Sequence, residues 1–391
     1  MHRQVLLLAM AQALFQTGAA LVMTVGALAG RQIAHASHQL ATAPIAAMFL
    51  GTLVMTVPAS KWMARSGRRR GFVAGSLLGA LGGLVAAAGI YAGSLLVLSL
   101  GTLLLGANQA FAQFYRFAAA ELSDDKFRPR AISLVLGGGV AAALLGPALG
   151  TLGKPLLEPD YTGSFLILAA TSALAACVLA ALRIPRPKVE SGGDQSRALL
   201  TIMRQPTYAV ALFGAATGAG VMVLAMTATP LAMVHHDHSL SGAATVIQAH
   251  VLGMFVPSFF TGSLIARFGV LRVMAAGAAL LSAHVMVTLS GTGFASFAGA
   301  LVLLGVGWNF LYIGGTTLLT STYRPAERAN AQAAHDLVIF AVGLISALSA
   351  GALLQAIGWQ RMNALLLPWS LTPIIAVAWL ARRQRRDKAT P

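Results

Sequence analysis

The sequence predicts an all-α membrane protein of twelve transmembrane helices in two similar six-helix halves. Three observations lead there. Of its 391 residues 57% are hydrophobic and 10% charged, and the mean hydropathy is strongly positive, a surface that water could not solvate. Apolar runs near 20 residues long recur along the whole chain, the length that crosses a hydrocarbon core roughly 30 Å thick. A basic, glycine-containing loop also occurs twice, at matching places in the two halves.

The runs place helices near 5–28, 41–59, 71–92, 94–119, 131–152, 162–182, 207–233, 243–264, 273–291, 295–318, 331–356 and 363–381. The first begins after His2-Arg3 but carries Gln12, Gln16 and Gly18 and shows no small-residue cleavage site, so it is expected to be a helix and not a removed leader. With an even number of helices both termini share a side. To that side fall Arg3, Lys61, Arg65, Arg68 to Arg70, Lys126, Arg128, Arg130, Arg183 to Arg204, Arg267, Arg272, Arg324, Arg328 and the tail Arg382 to Lys388, against Arg31, Lys154 and Arg361 opposite. Positive charge stays in the cytoplasm, so both termini are expected there, and the net charge of +16 reads as orientation and not as nucleic-acid binding. An anionic-lipid role for the tail is the alternative. Cys177, the single cysteine, lies in an apolar helix, can form no internal disulfide, and reads as a small hydrophobe.

The repeated loop reads Ser60-Lys-Trp-Met-Ala-Arg65-Ser-Gly67-Arg68-Arg69-Arg70 in the first half and Gly262-Ser-Leu-Ile-Ala-Arg267-Phe-Gly269-Val-Leu-Arg272 in the second. Arg65, Gly67, Arg70 and Gly75 match Arg267, Gly269, Arg272 and Gly277 at one offset, as parallel repeats do. On these residues the chain resembles the major facilitator superfamily, whose loop between helices two and three runs Gly-x-x-x-Asp-Arg-x-Gly-Arg-Arg. The resemblance covers the whole chain by topology. It implies bundles at 1–183 and 207–391 joined by a cytoplasmic linker at 184–206, with Arg65, Gly67, Arg68, Arg267 and Gly269 in loops that move between conformations. The acidic position is Ala64 and Ala266 here, and the first glycine is Ser60. A latch that uses the aspartate must therefore rely on other contacts or be weaker.

Ionisable groups inside the hydrocarbon region are functional candidates by default. Asp336 is the one acidic residue within a predicted helix, close to its cytoplasmic end, and Arg116 stands near the cytoplasmic boundary, where snorkelling accounts for it. The soft donors are more informative. Met222-x-x-x-Met226 lies on helix seven with Met233 seven residues on, and His250-x-x-x-Met254 lies on helix eight. Met226 and His250 sit at one depth, about 10 Å in, and Met222 and Met254 at a second. Thioethers with neutral imidazole, and no carboxylate or thiolate, suit Cu(I). His35, His38, His235, His236 and His238 fall in outward loops where they would gather metal with Met233 at the entrance. Each motif alone is weak, since Met also fills cores. Their joint placement resembles the CcoA-like copper importers of the superfamily. That resemblance implies import of copper across a bacterial cytoplasmic membrane for cytochrome oxidase assembly, with a copper chaperone as a partner and no prosthetic group.

Two other readings stay open. Relatives of the same branch resemble riboflavin transporters, and Trp308, Asn309 and Tyr312 on helix ten with Asn108, Gln109, Gln113 and Tyr115 on helix four are aromatic faces and amides that a flavin or drug site uses. Gly146-Pro147 in helix five resembles an antiporter motif of the family and also explains itself as a kink. The third reading is a copper-binding sensor or assembly factor that moves nothing. An enzyme is not expected, since no nucleophile, base and orienter set is visible.

Overall fold

The computed structural model describes residues 2–34, 38–123, 128–184, 197–324 and 327–389. Every regular element among them is helical: α1 (His2–Ile33), α2 (His38–Ala41), α3 (Ala43–Ser66), α4 (Arg68–Tyr91), α5 (Leu95–Ala112), α6 (Tyr115–Glu121), α7 (Arg128–Gly153) and α8 (Thr162–Ala180), then α9 (Leu199–Met203), α10 (Pro206–His235), α11 (Leu240–Phe255), α12 (Ser258–Phe268), α13 (Val270–Leu289), α14 (Phe294–Thr320), α15 (Arg328–Ala364) and α16 (Leu366–Ala389), with a short 3-10 turn at Lys154–Leu156. Among the described residues nine helices are long and apolar enough to cross a membrane, and ten if α11 and α12, bent by 41° at their junction, form one span.

Three sequence expectations change. The helix expected over 94–119 is two, because the chain tightens at Gln113 and Phe114, where Phe114 N–H reaches back three residues to Phe111 O instead of four. The helix expected over 243–264 breaks at Val256 and Pro257, where proline has no N–H to continue the ladder. Near the end of the chain the break falls at Gly358 (φ 77°, ψ 173°) inside α15, ahead of the predicted start at 363.

The repeat is visible in the backbone. Gly67 adopts φ 91°, ψ 151° and Gly269 φ 87°, ψ 149°, and each closes its preceding helix by donating its N–H to the carbonyl four residues back, Met63 O and Ile265 O. That conformation is open essentially to glycine alone, which explains why glycine stands at both positions while the neighbouring side chains differ. Each half is then sewn by close helix crossings. A Cβ on Gly51 or Gly106 would collide with the backbone of the facing helix, α5 or α3, and one on Gly305 would collide with His250 O in α11. Gly138 and Gly146 of α7 lie against the backbone of α1 in the same way, so Gly146 serves close packing beside the kink-forming Pro147.

Buried apolar residues gather in three large clusters. One runs from Val5 to Leu182 and belongs wholly to the first half, and one runs from Ile202 to Leu380 and belongs wholly to the second. The third is shared: Leu21 to Ala29, Ala41 to Met48 and Phe165 meet Val223, Met226, Leu231, Ile247, Val251 and Ala347. The halves therefore close on each other at the end that carries the last turn of α1, α2 and the His236–Ser239 turn. At the opposite end, where the basic loops lie, no hydrophobic cluster of described residues joins them. Where the halves touch along their lengths, Gln248 Nε2 donates to Leu144 O at 2.9 Å, and Phe255 packs on Gly139 and Phe49 on Gly343.

At the basic end Arg68 Nη1 donates to Phe114 O at 3.4 Å and Arg69 to Ala180 O. Arg65 is exposed, and Arg267 lies over the Phe268 ring at 5.3 Å. The second half carries a stronger tie. Arg197 grips the buried carboxylate of Glu327 through both Nε and Nη2 at 2.7 Å, and the carboxylate also accepts the backbone N–H of Arg197 and of Arg324. Residues 185–196 of the expected linker lie outside the described residues.

Gly67→Ala and Gly269→Ala should each destabilise the detergent-solubilised protein by about 1–3 kcal/mol in thermal unfolding. Gly262→Ala, a helical position with open space around it, should cause no loss. The Arg197 guanidinium and then the Arg324 N–H hold the Glu327 carboxyl well below the usual carboxylate range. A depressed folded value adds stability that is complete above the unfolded value near 4 and is lost as pH falls below it. Unfolding midpoints should therefore drop more steeply below pH ~4 in the parent than in Glu327→Gln.

Candidate functional site

Between the halves, beneath the shared seam, lies a cavity of about 1400 Å³ of empty space, part of it open to solvent. Both halves build it. From the first come Gln12, Gln16 and Met23 of α1, Met48 and Phe49 of α3, Gln109 of α5, Gln113, and Arg116 of α6. From the second come Met222 and Met226 of α10, Met254 and Phe255 of α11, Trp308 and Tyr312 of α14, and Asp336 and Phe340 of α15.

The chemistry of the wall is divided. Methionines 23, 48, 222, 226 and 254 line it, and Met23, Met48, Met226 and Met254 belong also to the cluster that closes the seam. Four glutamines stand on the first half's side. On the other side the rings of Trp308 and Tyr312, one helical turn apart, stack at 4.8 Å and 12°. The Trp308 indole N–H is buried and meets no acceptor among the described residues. An indole N–H is a donor only, and a buried donor without an acceptor carries a desolvation penalty, so a bound solute with a carbonyl or ring nitrogen has something to satisfy there.

Arg116 does not snorkel. It lines the cavity with Tyr312 and Asp336, whose phenol and carboxylate act on its guanidinium, so a cation of one half faces a phenol and a carboxylate of the other. His335 Nδ1 stands 3.2 Å from Asp336 Oδ1. In the sequence Arg116 and Asp336 read as separate boundary charges. They lie 220 positions apart, and no spacing pattern joins them.

The expected site residues separate into groups. Met222, Met226 and Met254 line the cavity together with Trp308, Tyr312 and Gln109. His250 is fully buried behind that wall: its Nδ1–H donates to Leu301 O at 2.8 Å, and Nε2 has no partner among the described residues. Met233 is fully buried in the second half's own core, so it is a packing residue and not a contact at an entrance. His236 Nδ1 bonds Ala232 O and His238 Nε2 bonds Thr292 O, both at 2.8 Å, and their rings lie edge-on to Phe297. These two imidazoles pin the turn between α10 and α11, each with one ring nitrogen engaged. His235 is exposed beside His236. His35 and the side chain of His38 lie outside the described residues. Among the described residues no group of three or more His, Cys, Asp or Glu is placed to hold a metal ion.

Asn309 has a different role from the one its neighbour Trp308 suggests. It is 1% exposed, its Nδ2 donates to Met254 O and Ser258 Oγ, and its Oδ1 accepts from Thr261 Oγ1, all at 2.7 Å. The α11–α12 break frees the Met254 carbonyl, and Asn309 takes it up. The amide thus holds the bend that presents Met254 to the cavity. On the expected fourth helix, Asn108 is buried against Gly79, and Tyr115 packs edge-on to Phe72 with its hydroxyl 3.4 Å from Ser76. Neither faces the cavity.

Two helical halves that meet at one end around a central cavity define a membrane transporter that works by alternating access. The chain belongs to the Major Facilitator Superfamily, whose family model matches residues 6–249 and 210–391. It is 39% identical over 380 residues to the riboflavin transporter RfnT of Brucella anthropi, covering 96% of this chain and 94% of that one. It is 31% identical to the uncharacterized MFS-type transporter YddS of Bacillus subtilis, over 92% and 87% of the two chains. Among solved structures, the inward-facing and occupied form of a bacterial homolog of the human lysosomal transporter Spinster matches with a TM-score of 0.72 at 17% identity, over 97% of this chain and 96% of that one. A point mutant of the nucleoside transporter NupG matches with a TM-score of 0.74 at 15% identity, over 96% and 99%.

Asn309→Ala should lower stability by about 1–3 kcal/mol, since it leaves the Met254 carbonyl and the Ser258 hydroxyl short of a partner in a buried site, while Thr261 keeps Pro257 O. Thermal unfolding in detergent reads this, and Trp308→Phe, which removes an N–H with no partner, should leave the midpoint within about 1 kcal/mol of the parent.

Proposed function

We propose that this chain carries a planar heteroaromatic solute of the flavin class across a bacterial cytoplasmic membrane. Twelve spans in two bundles, 1–183 and 207–391, joined by the cytoplasmic segment 184–206, would place both termini in the cytoplasm. This reading divides the 330–386 stretch at Gly358 and counts α7 and the bent α11–α12 pair as spans. The closed seam then faces outward and the cavity opens inward.

The observation that carries the reading is the Trp308–Tyr312 stack with its unpartnered indole N–H, facing four glutamines across a space far larger than an ion needs. Pockets for organic solutes combine apolar walls with a few convergent polar groups. A flavin offers a flat ring to stack on the aromatic pair and carbonyls and ring nitrogens to the indole and amides. The 39% identity over nearly full length to a riboflavin transporter supports the same solute class.

Copper is the second reading, and one observation favours it: Met222, Met226 and Met254 line the same cavity. In that case the His250 Nε2 lone pair, buried and unpaired while Nδ1–H is held by Leu301 O, would be the nitrogen ligand. The wall favours the organic solute because copper needs none of the glutamines or the ring stack.

Purified protein in liposomes should move riboflavin. Trp308→Ala should reduce its flux about tenfold through lost stacking, and Met226→Ala should leave flux within about twofold. Binding can be read separately, because riboflavin should quench the tryptophan fluorescence of the parent and quench that of Trp308→Phe less. Cu(I) flux that requires Met226 and Met254, with no riboflavin flux, would replace the proposal with the copper reading.

A further inference from the structure

A second cavity lies outside the central one, on the flank of the second half between α10, α15 and α16. It holds about 1140 Å³ of empty space, part of it open to solvent, and its wall is apolar but for Thr217, with Met203, Phe213, Val338, Val342, Trp369 and Trp379 in it. Its depth can be measured along the helices. Gly220 of α10 abuts the Trp369 ring so closely that a Cβ would collide with it, which closes the trough at that level. Trp379 lies ten residues further along α16, about 15 Å away at 1.5 Å per residue, and Met203 lies beyond it from the α10 side. A trough of that length and lining suits a hydrocarbon chain.

Its far end is basic. The Arg383 guanidinium stands over the Trp379 ring, 5.7 Å from the centroid, and Arg204 directly follows the lining residue Met203. Both arginines are exposed. The α10 and α16 helices are packed and run oppositely, so both charges stand at the same rim, on the side of the basic loops. Tryptophan and arginine together mark the depth where a bilayer's headgroups begin.

We propose that this trough is a binding site for an anionic phospholipid, with one acyl chain laid between α10, α15 and α16 and the phosphate held by Arg204 and Arg383. The occupant is an anionic lipid and not a neutral one because charge complementarity lies at the open end alone, with no acidic side chain of a described residue lining the trough. The site would act on the transporter from outside its solute path. The lipid ties α16 to the start of α10 within the second half, at its basic end.

The test uses full-length protein purified in detergent. Phosphatidylglycerol and phosphatidylcholine with identical acyl chains are titrated, retained lipid is read by native mass spectrometry, and the unfolding midpoint is recorded. Phosphatidylglycerol should bind about thirtyfold more tightly, the factor expected of two basic groups at a lipid surface, and should raise the midpoint. Arg204→Gln with Arg383→Gln should abolish that preference while retaining both lipids. Arg382→Gln with Arg385→Gln, neighbouring exposed charges of the same tail, should leave the preference unchanged. Ala376→Phe, which fills the trough, should reduce retention of both lipids. Equal retention of the two lipids by the parent, or loss of the preference in the Arg382/Arg385 variant to the same extent, would overturn the proposal. Inorganic phosphate at equal concentration should not raise the midpoint, and if it does, the acyl trough has no part in binding.

Discussion

No water reaches the hydrocarbon core of a bilayer, so each backbone N–H and C=O there needs a partner inside the protein. The rest of this structure depends on that constraint. It makes every regular element of the described residues helical, and it makes each interruption a place where something else must take up the freed groups. At the α11–α12 bend the substitute is Asn309, whose amide claims Met254 O and Ser258 Oγ and accepts from Thr261. The bend is therefore tolerated only because a side chain of α14 reaches it. It also lies beside the cavity, whose wall Met254 helps to form.

The halves meet through surfaces of different character at their two ends. One end is a shared apolar seam, and the other presents two separate cores with basic loops between them. Packed apolar surfaces are not continuously deformable, so a seam that opens at one end while another forms at the opposite end gives two discrete states and not a gradual one. Beside the seam itself, the cross-half contacts include the Gln248 amide on Leu144 O, and Phe49 and Phe255 on glycines. Glycine at those points lets an aromatic ring seat against backbone without a side chain to lock it. Arg116 against Tyr312 and Asp336 is a further approach between halves, and all three residues line the cavity itself.

The cavity holds the donors of two chemistries at once, thioether sulfur and the aromatic and amide groups. Their placement separates what residue counting could not. Four of the five lining methionines also belong to the seam's apolar packing, the adaptable filler role that methionine commonly has. The indole N–H of Trp308 has no such structural explanation. A polar group that is buried, unpartnered among the described residues and set in the wall of an open space is the kind of departure from good packing that marks a binding surface.

Much of the fold was legible in the sequence. Hydropathy gave the long helices because crossing a bilayer requires length and apolarity over contiguous residues, a local property. The repeat around Gly67 and Gly269 was legible because a backbone conformation restricted to glycine leaves its mark on the residue type. Met222, Met226, Met254, Trp308, Tyr312 and Gln109 were all legible as candidates, being soft, aromatic or amide groups inside apolar runs. Tertiary structure decided which of them share a wall. It placed Asn309 on a helix break, Met233 in a core and His236 and His238 on carbonyls, and it joined Arg116 to Asp336 across the two halves. Those outcomes depend on which face of each helix is turned inward and on partners far away along the chain. In helices that are apolar on nearly every face, periodicity does not show which face that is, and only the packed structure does.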